Sequence, residues 1–344
     1  FRDEADTVNA LVPELQRKGV ESIVVLLHEG GFQSGGIDAC AGISGPVVDI
    51  VNRMSDAVDA VVSGHTHQAY NCEIDGKLVT SASSFGRVVT DIDLTIDKRS
   101  GDVTVARADN LVVTRDVDKA PDLTALLDKY RRLSAPLANR VIGTITSDIT
   151  RAPTPAGESA LGDVIADAQL AATDGPAEGG AVVSLMNPGG IRADLTFAPS
   201  GGEQPGQVTY GEAFTVQPFG NTLVTMTLTG AQLDTLLEQQ WCGQAFPRIL
   251  QVSTGFTYTW NSTSPVCDRV DPASIKIGGV AVDPAGSYRI TVNSFLADGG
   301  DNFTVLRSGT NRLGGPLDLD ALAAYFTAAS PVAPGPRDRI TRVG

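Results

Sequence analysis

The hydrophobic positions of the first hundred residues predict alternating helices and strands. Helical spacing over residues 8–15 indicates a first helix, and Pro13 inside it predicts a kink or an early end. Two short apolar runs, 23–27 and 57–62, are rich in β-branched residues and are typical of parallel strands buried on both faces. Pro46 is placed to open a second helix between these runs, because proline suits the first helical turn. The pattern indicates an α/β unit.

The rest of the chain predicts a connecting helix and a second unit of α+β type. Over residues 77–97 the apolar positions alternate with period two, which indicates antiparallel strands. Residues 121–137 form a polar helical pattern bounded by prolines, followed by a further series of helical and strand-like segments. We therefore expect one domain over residues 1–117, a linker helix over 118–140 and a second domain over 141–344.

Charge and hydropathy narrow the possible partners. The chain carries 26 Lys and Arg against 40 Asp and Glu, a net charge of −14. Nucleic-acid polymers are bound by basic surfaces, so this balance excludes them as expected partners and favours a small molecule. The longest apolar run, 23–27, is too short to span a bilayer, and no transmembrane segment is expected. The oligomeric state cannot be read from the sequence.

The four cysteines fall two in each expected domain: Cys40 and Cys72, then Cys242 and Cys267. No Cys-x-x-Cys occurs, which disfavours a zinc ribbon or a thioredoxin-type site. Two local disulfides, Cys40–Cys72 and Cys242–Cys267, in an exported protein are the preferred interpretation. Four buried free thiols are the alternative.

All three histidines lie in the first fifth of the chain. His28 directly follows the strand predicted over 23–27, and His65 and His67 follow the strand predicted within 57–62. Ligand sites lie beyond the carboxyl ends of parallel strands, so these imidazoles are candidate metal ligands. The alternative is local hydrogen bonding at a strand end. Three imidazoles do not complete a two-metal hydrolytic centre, and we expect the missing ligands upstream of Phe1.

The second domain offers a different set of polar and aromatic groups. Residues 187–192 combine an asparagine amide, exposed glycine N–H groups and an arginine, which is suited to a phosphate or a carboxylate. Phe219 and Phe295 each stand beside glycine and a polar residue, and two facing rings would stack on a planar base. Asn221 or Asp301 could then bind the ring edge or the ribose hydroxyls. The alternatives are a surface arginine, core phenylalanines and a turn aspartate.

Six segments in this order resemble the 5′-nucleotidase family over nearly the whole chain. They are residues 27–30, 64–67, 158–163, 187–192, 218–221 and 295–301. The second domain is most similar to exported enzymes of high-GC Gram-positive bacteria. The resemblance implies the C-terminal part of a calcineurin-like metallophosphoesterase α/β sandwich, followed by a 5′-nucleotidase C-terminal substrate-binding domain.

The resemblance also implies roles for individual residues. The metal ligands would be His28, His65 and His67. Around the substrate, Arg151, Asn187 and Arg192 would face the phosphate or ribose, Phe219 and Phe295 would sandwich the base, and Asn221 and Asp301 would give polar contacts. Two divalent metal ions of the Zn, Mn or Co class are implied for the full-length protein, with weak occupancy here. The family's catalytic His–Asp dyad does not occur in this chain, so no catalytic residue is assigned.

The activity implied by the resemblance is metal-dependent release of phosphate from nucleoside 5′-monophosphates or related nucleotides. The alternatives are a UDP-sugar hydrolase, a 2′,3′-cyclic-nucleotide phosphodiesterase and a non-catalytic nucleoside-binding module. The expected partner is a small nucleotide or nucleoside, and the expected location is secreted, periplasmic or cell-wall associated.

Overall fold

The computed structural model describes residues 2–344 and divides into two compact units. Unit 1 covers Phe1–Pro121 and unit 2 covers Asp122–Gly344. The boundary falls at the start of a helix, Pro121–Ala138, close to the span that the sequence predicts. Pro136 lies inside this helix rather than at its end, and none of the helix residues is buried. No helix among residues 2–344 is long and apolar enough to cross a membrane.

Unit 1 is built around a small, mainly parallel sheet. Its elements are α1 (Glu4–Arg17), β1 (Val24–Leu26), α2 (Pro46–Asn52), β2 (Ala60–Val62), β3 (Ala69–Ile74), β4 (Lys77–Ala82), β5 (Val88–Ile96) and β6 (Val103–Val112). Strands β1, β2 and β4 are parallel neighbours, and β3 pairs antiparallel with β4. Strands β5 and β6 form a separate antiparallel ribbon. The loops after β1 and β2 therefore leave the sheet at the same edge.

The first strand is less buried than its sequence predicts. Leu26 is 81% exposed and Val24 is 42% exposed, whereas Ile23 and Leu27, on either side of β1, belong to the core. Among residues 2–344, β1 lies at the edge of its sheet and has a neighbouring strand on one side only. An apolar run does not by itself distinguish an edge strand from a central one, because both carry β-branched residues.

Helix α1 continues through Pro13, where the sequence predicts a kink or an early end. The helix ends at Arg17, shortly before Gly19, whose φ of 77° is the left-handed conformation that glycine adopts freely. Leu15, beyond the proline, packs against the core of unit 1. This tertiary contact supports the last turn, which follows the proline and the backbone hydrogen bond that it removes.

Unit 2 contains a five-stranded sheet and a smaller four-stranded sheet. Its elements are α3 (Pro121–Ala138), β7 (Val141–Thr144), α4 (Ala160–Ala171), β8 (Val183–Met186), β9 (Gln207–Thr209), α5 (Tyr210–Val216), β10 (Thr222–Thr229), α6 (Gly230–Glu238), β11 (Gln251–Val252), β12 (Phe256–Asn261), β13 (Lys276–Ile277), β14 (Val280–Ala281), β15 (Ser287–Asn293), α7 (Ser294–Ala297), β16 (Thr310–Leu317), α8 (Asp318–Ala329) and β17 (Ile340–Val343). The five-stranded sheet has the order β11-β8-β15-β10-β16 and the other has the order β14-β13-β12-β17.

Two apolar cores stabilise unit 2. One joins β8, β10 and β15 to α6 and to β12 of the smaller sheet. The second surrounds α4 and α8, which pack against each other and against β8 and β7. The helix starts follow local sequence signals, since the Ser159 hydroxyl caps α4 and Thr229 forms a capping box with Gln232 at α6.

Candidate functional site

Three neighbouring strands of unit 2 bring the predicted binding residues to one edge of the five-stranded sheet. Strands β8 and β15 are parallel, so Asn187 and Phe295, which follow them, leave the sheet at the same edge. Strand β10 is antiparallel to β15, so Phe219 and Asn221, which precede β10, lie at this edge as well. The strand order thus gathers motifs that are far apart in the sequence.

Asn187 and Asp301 form a hydrogen-bonded pair at this edge, although 114 residues separate them. Asn187 donates from Nδ2 to Asp301 Oδ2 at 3.0 Å and accepts from Asn293 Nδ2 at 2.9 Å. The backbone of Asp301 has φ 53°, in the left-handed region that aspartate enters more readily than most residues. A Cβ on Gly189 would lie 3.7 Å from both Asn187 Nδ2 and Asp301 Oδ2, so the glycine lies directly against the pair.

Phe219 and Phe295 are both exposed, which contradicts the alternative that they are core side chains. Phe219 is 58% exposed and Phe295 is 44% exposed. The Phe295 ring packs on Gly300, where a Cβ would lie 2.6 Å from the ring, and Gly300 directly precedes Asp301. Exposed aromatic faces beside polar groups are suited to stacking on a planar ring.

The two predicted arginines contact the segment 187–192. Arg192 donates from Nη1 to the Gly189 carbonyl at 3.2 Å, and its Cζ lies 5.8 Å from the centroid of the Phe219 ring. Arg151 donates from Nη1 to the Ile191 carbonyl at 3.2 Å. Both guanidinium groups are thus held by the same turn, and a planar guanidinium can bind two oxygens of a phosphate.

Asn221 is oriented by Asp318 and Ser294. Its Nδ2 donates to Asp318 Oδ2 at 3.4 Å, and its Oδ1 accepts from Ser294 Oγ at 3.4 Å. Burial raises the pKa of Asp318, which the Leu319 N–H and the Asn221 amide oppose. Ser294 directly precedes Phe295 in the sequence. These contacts therefore link Asn221 to the segment after β15 that carries Phe295.

Arg248 is a neighbour of the site that the sequence did not indicate. It forms an ion pair from Nη1 to Asp301 Oδ1, and its Cζ lies 4.6 Å from the centroid of the Phe246 ring. Gln244 donates from Nε2 to the Asp301 carbonyl at 2.6 Å. No motif marks the segment 243–248, and the only signal nearby is Cys242, which precedes it.

Both expected disulfides are present, Cys40–Cys72 in unit 1 and Cys242–Cys267 in unit 2. The free-thiol alternative is therefore wrong. The second disulfide fixes the start of the segment that contacts Asp301.

The three histidines of unit 1 follow β1 and β2 as expected, but they do not form a complete ligand set. The rings of His28 and His65 are neighbours, with centroids 5.3 Å apart, and the His67 ring lies 5.8 Å from the Phe85 ring. Residues 2–344 contain no group of three or more His, Cys, Asp or Glu side chains that could hold a metal ion. The side chains present therefore do not fit a metal centre by themselves, and the ligand assignment stays a prediction.

The comparison with known families agrees with the geometry of unit 2. Residues 141–308 match the family model described as 5′-nucleotidase, C-terminal domain. All seven predicted substrate-binding residues fall within this range. Unit 2 of the chain therefore contains a 5′-nucleotidase C-terminal domain.

Two curated relatives are each 31% identical to the chain. The endonuclease YhcR of Bacillus subtilis aligns over 94% of this chain and 25% of its own length. The cell wall protein Lmo0130 of Listeria monocytogenes aligns over 89% of this chain and 41% of its own length. The chain thus spans about a quarter and about two fifths of these relatives.

A solved structure extends the similarity to the fold. The crystal structure of a 5′-nucleotidase precursor from Thermus thermophilus has a TM-score of 0.69 and 27% sequence identity, and the match covers 100% of this chain and 68% of that one. This similarity confirms the expected fold class, with a calcineurin-like part followed by a 5′-nucleotidase C-terminal domain.

Proposed function

We propose that unit 2 binds a nucleotide and that the full-length protein hydrolyses its phosphate ester. The observation that carries the proposal is the pair of exposed phenylalanines, Phe219 and Phe295, at the sheet edge that also holds Asn187 and Asp301. A base would stack between the two rings, with Asn221 and Asp301 binding the ring edge or the sugar. The nearby guanidinium groups, on Arg151 and Arg192, would bind the phosphate.

The proposed reaction is that of a metal-dependent phosphohydrolase, with two divalent ions of the Zn, Mn or Co class in the full-length protein. Bound metal would supply a hydroxide nucleophile and polarise the phosphoryl oxygens. In this proposal His28, His65 and His67 are ligands, and the contribution of unit 2 is to bind and orient the nucleotide. No catalytic residue is assigned within residues 2–344.

A nucleoside 5′-monophosphate is the substrate we favour. UDP-sugars and 2′,3′-cyclic nucleotides also combine a base with phosphate, so they remain the alternative substrates, and a nucleoside-binding module without activity is the alternative function. The net charge of −14 favours a single nucleotide over a polymer, since a polymer needs an extended basic surface.

The proposed location is outside the cell or in the cell wall. Disulfides persist in oxidising compartments, and this chain has one in each unit. The relative named a cell wall protein supports the same location.

Replacing Phe219 with alanine is expected to weaken adenosine binding by about tenfold, because stacking of a base on an aromatic side chain contributes roughly 1–3 kcal/mol. Phe295→Ala should weaken binding by a similar factor. Isothermal titration calorimetry on the 344-residue chain would measure both affinities.

Phe197→Ala is the control, because Phe197 is 41% exposed in the same unit but lies beside Gly206 between β8 and β9 and is not a predicted substrate-binding residue. Its adenosine affinity should equal that of the wild type. Equal losses in all three variants, or no binding of adenosine by the wild type, would contradict the proposed site.

The reaction is tested separately by measuring phosphate release from AMP, UDP-glucose and 2′,3′-cyclic AMP with the full-length protein and MnCl₂. Release from AMP that disappears after treatment with EDTA is the expected result. Release that survives chelation would contradict the metal dependence. Binding without release from any of the three compounds would favour the non-catalytic alternative.

A further inference from the structure

Helix α3 presents a continuous row of large apolar side chains to solvent. Six of them are between 49% and 66% exposed: Leu123, Leu126, Leu127, Tyr130, Leu133 and Leu137. Scattered exposed leucines are ordinary on a protein surface, but a contiguous apolar stripe of this size is rare on a soluble monomer. Such stripes mark interaction surfaces.

The spacing of these residues is that of a coiled-coil seam. Five of the six follow one another at intervals of three, four, three and four residues: Leu123, Leu126, Tyr130, Leu133 and Leu137. We call these five residues the α3 seam. A repeat that averages about 3.5 residues keeps one side of a helix facing a second helix along its whole length. The sequence of α3 thus suits packing against another helix.

The charged residues of α3 lie outside the seam, and their charges nearly balance. The helix contains two acidic residues, Asp122 and Asp128, and three basic residues, Lys129, Arg131 and Arg132. Two copies of a chain with a net charge of −14 repel each other, and a locally balanced surface reduces this repulsion at the contact. The same net charge disfavours an anionic lipid surface as the occupant, since amphipathic helices bind such membranes through a strongly basic face.

The exposed apolar area is sufficient for a dimer. The six side chains present roughly 500 Å² of apolar surface on one copy, which is near the upper end for the largest patch of a monomer. Two copies packed on this surface would remove roughly 1,000 Å² from water, about the lower limit for a specific interface. A helix seam is also self-complementary, because the same row of side chains packs against itself in a symmetric pair.

We propose that α3 is an interaction surface for a second copy of this chain, in which the two α3 seams pack against each other in a symmetric dimer. Each seam side chain would then insert between side chains of the facing helix, as in a two-stranded coiled coil. The inference is independent of the proposed nucleotide function, and its failure would leave that function standing.

The mass of the 344-residue chain in solution tests the proposal. Size-exclusion chromatography with light scattering should show a shift from monomer to dimer as the protein concentration rises. Leu126→Glu/Leu133→Glu places a charge in two layers of the seam, so the dissociation constant of the dimer should rise by at least about 100-fold. Ala125→Glu/Arg132→Gln makes the same change in net charge away from the seam and is the matched control. Its dissociation constant should equal that of the wild type.

A cysteine placed on the seam locates the interface. The four native cysteines are paired in two disulfides, so a maleimide reagent would react with the added thiol. Tyr130→Cys treated with a short bis-maleimide should give a covalent dimer in high yield. Arg132→Cys, on the opposite side of the helix, should give little.

Each other result would overturn the inference. A chain that stays monomeric at every concentration would do so, as would a dimer that forms equally well with glutamates on the seam. Equal loss of the dimer in the control variant would show that net charge governs association. A monomer that co-sediments with phosphatidylglycerol vesicles would assign the helix to a membrane surface instead.

The fold of the glutamate variant is checked by tryptophan emission, because Trp241 and Trp260 lie in a core of unit 2. An unchanged emission maximum shows that the loss of the dimer comes from the seam. If the emission changed, the bis-maleimide yields of Tyr130→Cys and Arg132→Cys would decide the question, and equal yields would contradict the proposed interface.

Discussion

Unit 2 of the wild-type chain is expected to lose stability as the pH rises. Replacing Asp163 with asparagine is expected to abolish this pH dependence. Asp163 lies in α4 and is 1% exposed. Neither of its carboxylate oxygens has a hydrogen-bond partner within the described residues. Burying a carboxylate without partners costs much more free energy when it is charged than burying the protonated acid or an asparagine amide.

The charges around Asp163 do not compensate it. Arg339 forms two hydrogen bonds with Asp167, at 2.7 and 2.8 Å, and its Nε is 4.0 Å from Asp163 Oδ2. Glu158 uses its two oxygens to accept the backbone N–H groups of Arg339 and Ile340, each at 3.0 Å. Three carboxylates therefore lie around Arg339, whose guanidinium is already committed to Asp167.

The pKa of Asp163 is shifted in the direction expected for a buried carboxylate whose charge is incompletely compensated. Burial raises it from the ordinary value of 3.8 to about 8, with the Arg339 charge opposing the shift and the Glu158 charge adding to it. Because the folded-state pKa is the higher one, the folded chain binds the extra proton. The stabilisation is fully present below pH 3.8 and is lost as the pH rises through about 8, with a slope of up to about 1.4 kcal/mol per pH unit.

Urea denaturation followed by tryptophan emission measures this effect, since both tryptophans, Trp241 and Trp260, lie in a core of unit 2. The free energy of unfolding of Asp163→Asn minus that of the wild type should be larger at about pH 8.5 than at about pH 5, by at least about 2 kcal/mol. Asp167→Asn is the control and should be destabilised at both pH values, because it breaks the paired contact with Arg339. A difference between Asp163→Asn and the wild type that does not change with pH would contradict the prediction.

The features that the sequence predicts well depend on contacts within a few residues. The Ser159 cap and the capping box of Thr229 and Gln232 are examples, because each cap bonds an amide only three residues away. The hairpin turn at Asp75 and Gly76, with φ values of 50° and 72°, is another local signal. Such signals indicate where helices and turns begin, but not which strands become neighbours.

The features that the sequence does not predict depend on the order of the strands. Within residues 2–344, β1 is an edge strand and Leu26 is exposed, although its apolar run resembles that of a central strand. Asn187 and Asp301 could be expected to meet only through the resemblance to a family, since no local pattern relates two residues so far apart. Arg248 contacts Asp301 from a segment without any recognisable motif, so only the structure reveals it.

The candidate metal ligands illustrate the same limit. The sequence correctly places His28 after one strand and His65 and His67 after its parallel neighbour. Proximity at a sheet edge does not fix where each imidazole points, and here the rings of His28 and His65 lie against each other. The donor geometry depends on loop conformations, such as the positive φ of His65 and His67, that an apolar pattern does not encode.

Removal of the Cys242–Cys267 disulfide is expected to affect both stability and binding in unit 2. The two cysteines are 25 residues apart, and the loop-entropy model gives about 3.5 kcal/mol for a crosslink of this length. The double variant Cys242→Ala/Cys267→Ala should therefore be less stable by about that amount in urea denaturation followed by tryptophan emission. Gln244 and Arg248 follow Cys242 closely, so their hold on Asp301 should loosen, and adenosine affinity should fall by about fivefold.

The other disulfide provides a control of the same kind. Cys40 and Cys72 are 32 residues apart in unit 1, so Cys40→Ala/Cys72→Ala removes a similar crosslink from a unit that contains neither tryptophan. Its tryptophan-detected unfolding and its adenosine affinity should match those of the wild type. If the Cys242–Cys267 variant lost stability but kept its affinity, the hydrogen bonds to Asp301 would hold the site without the crosslink. Its affinity would fall with its stability only if the disulfide, through the segment 243–248, is part of what positions the Asp301 carboxylate.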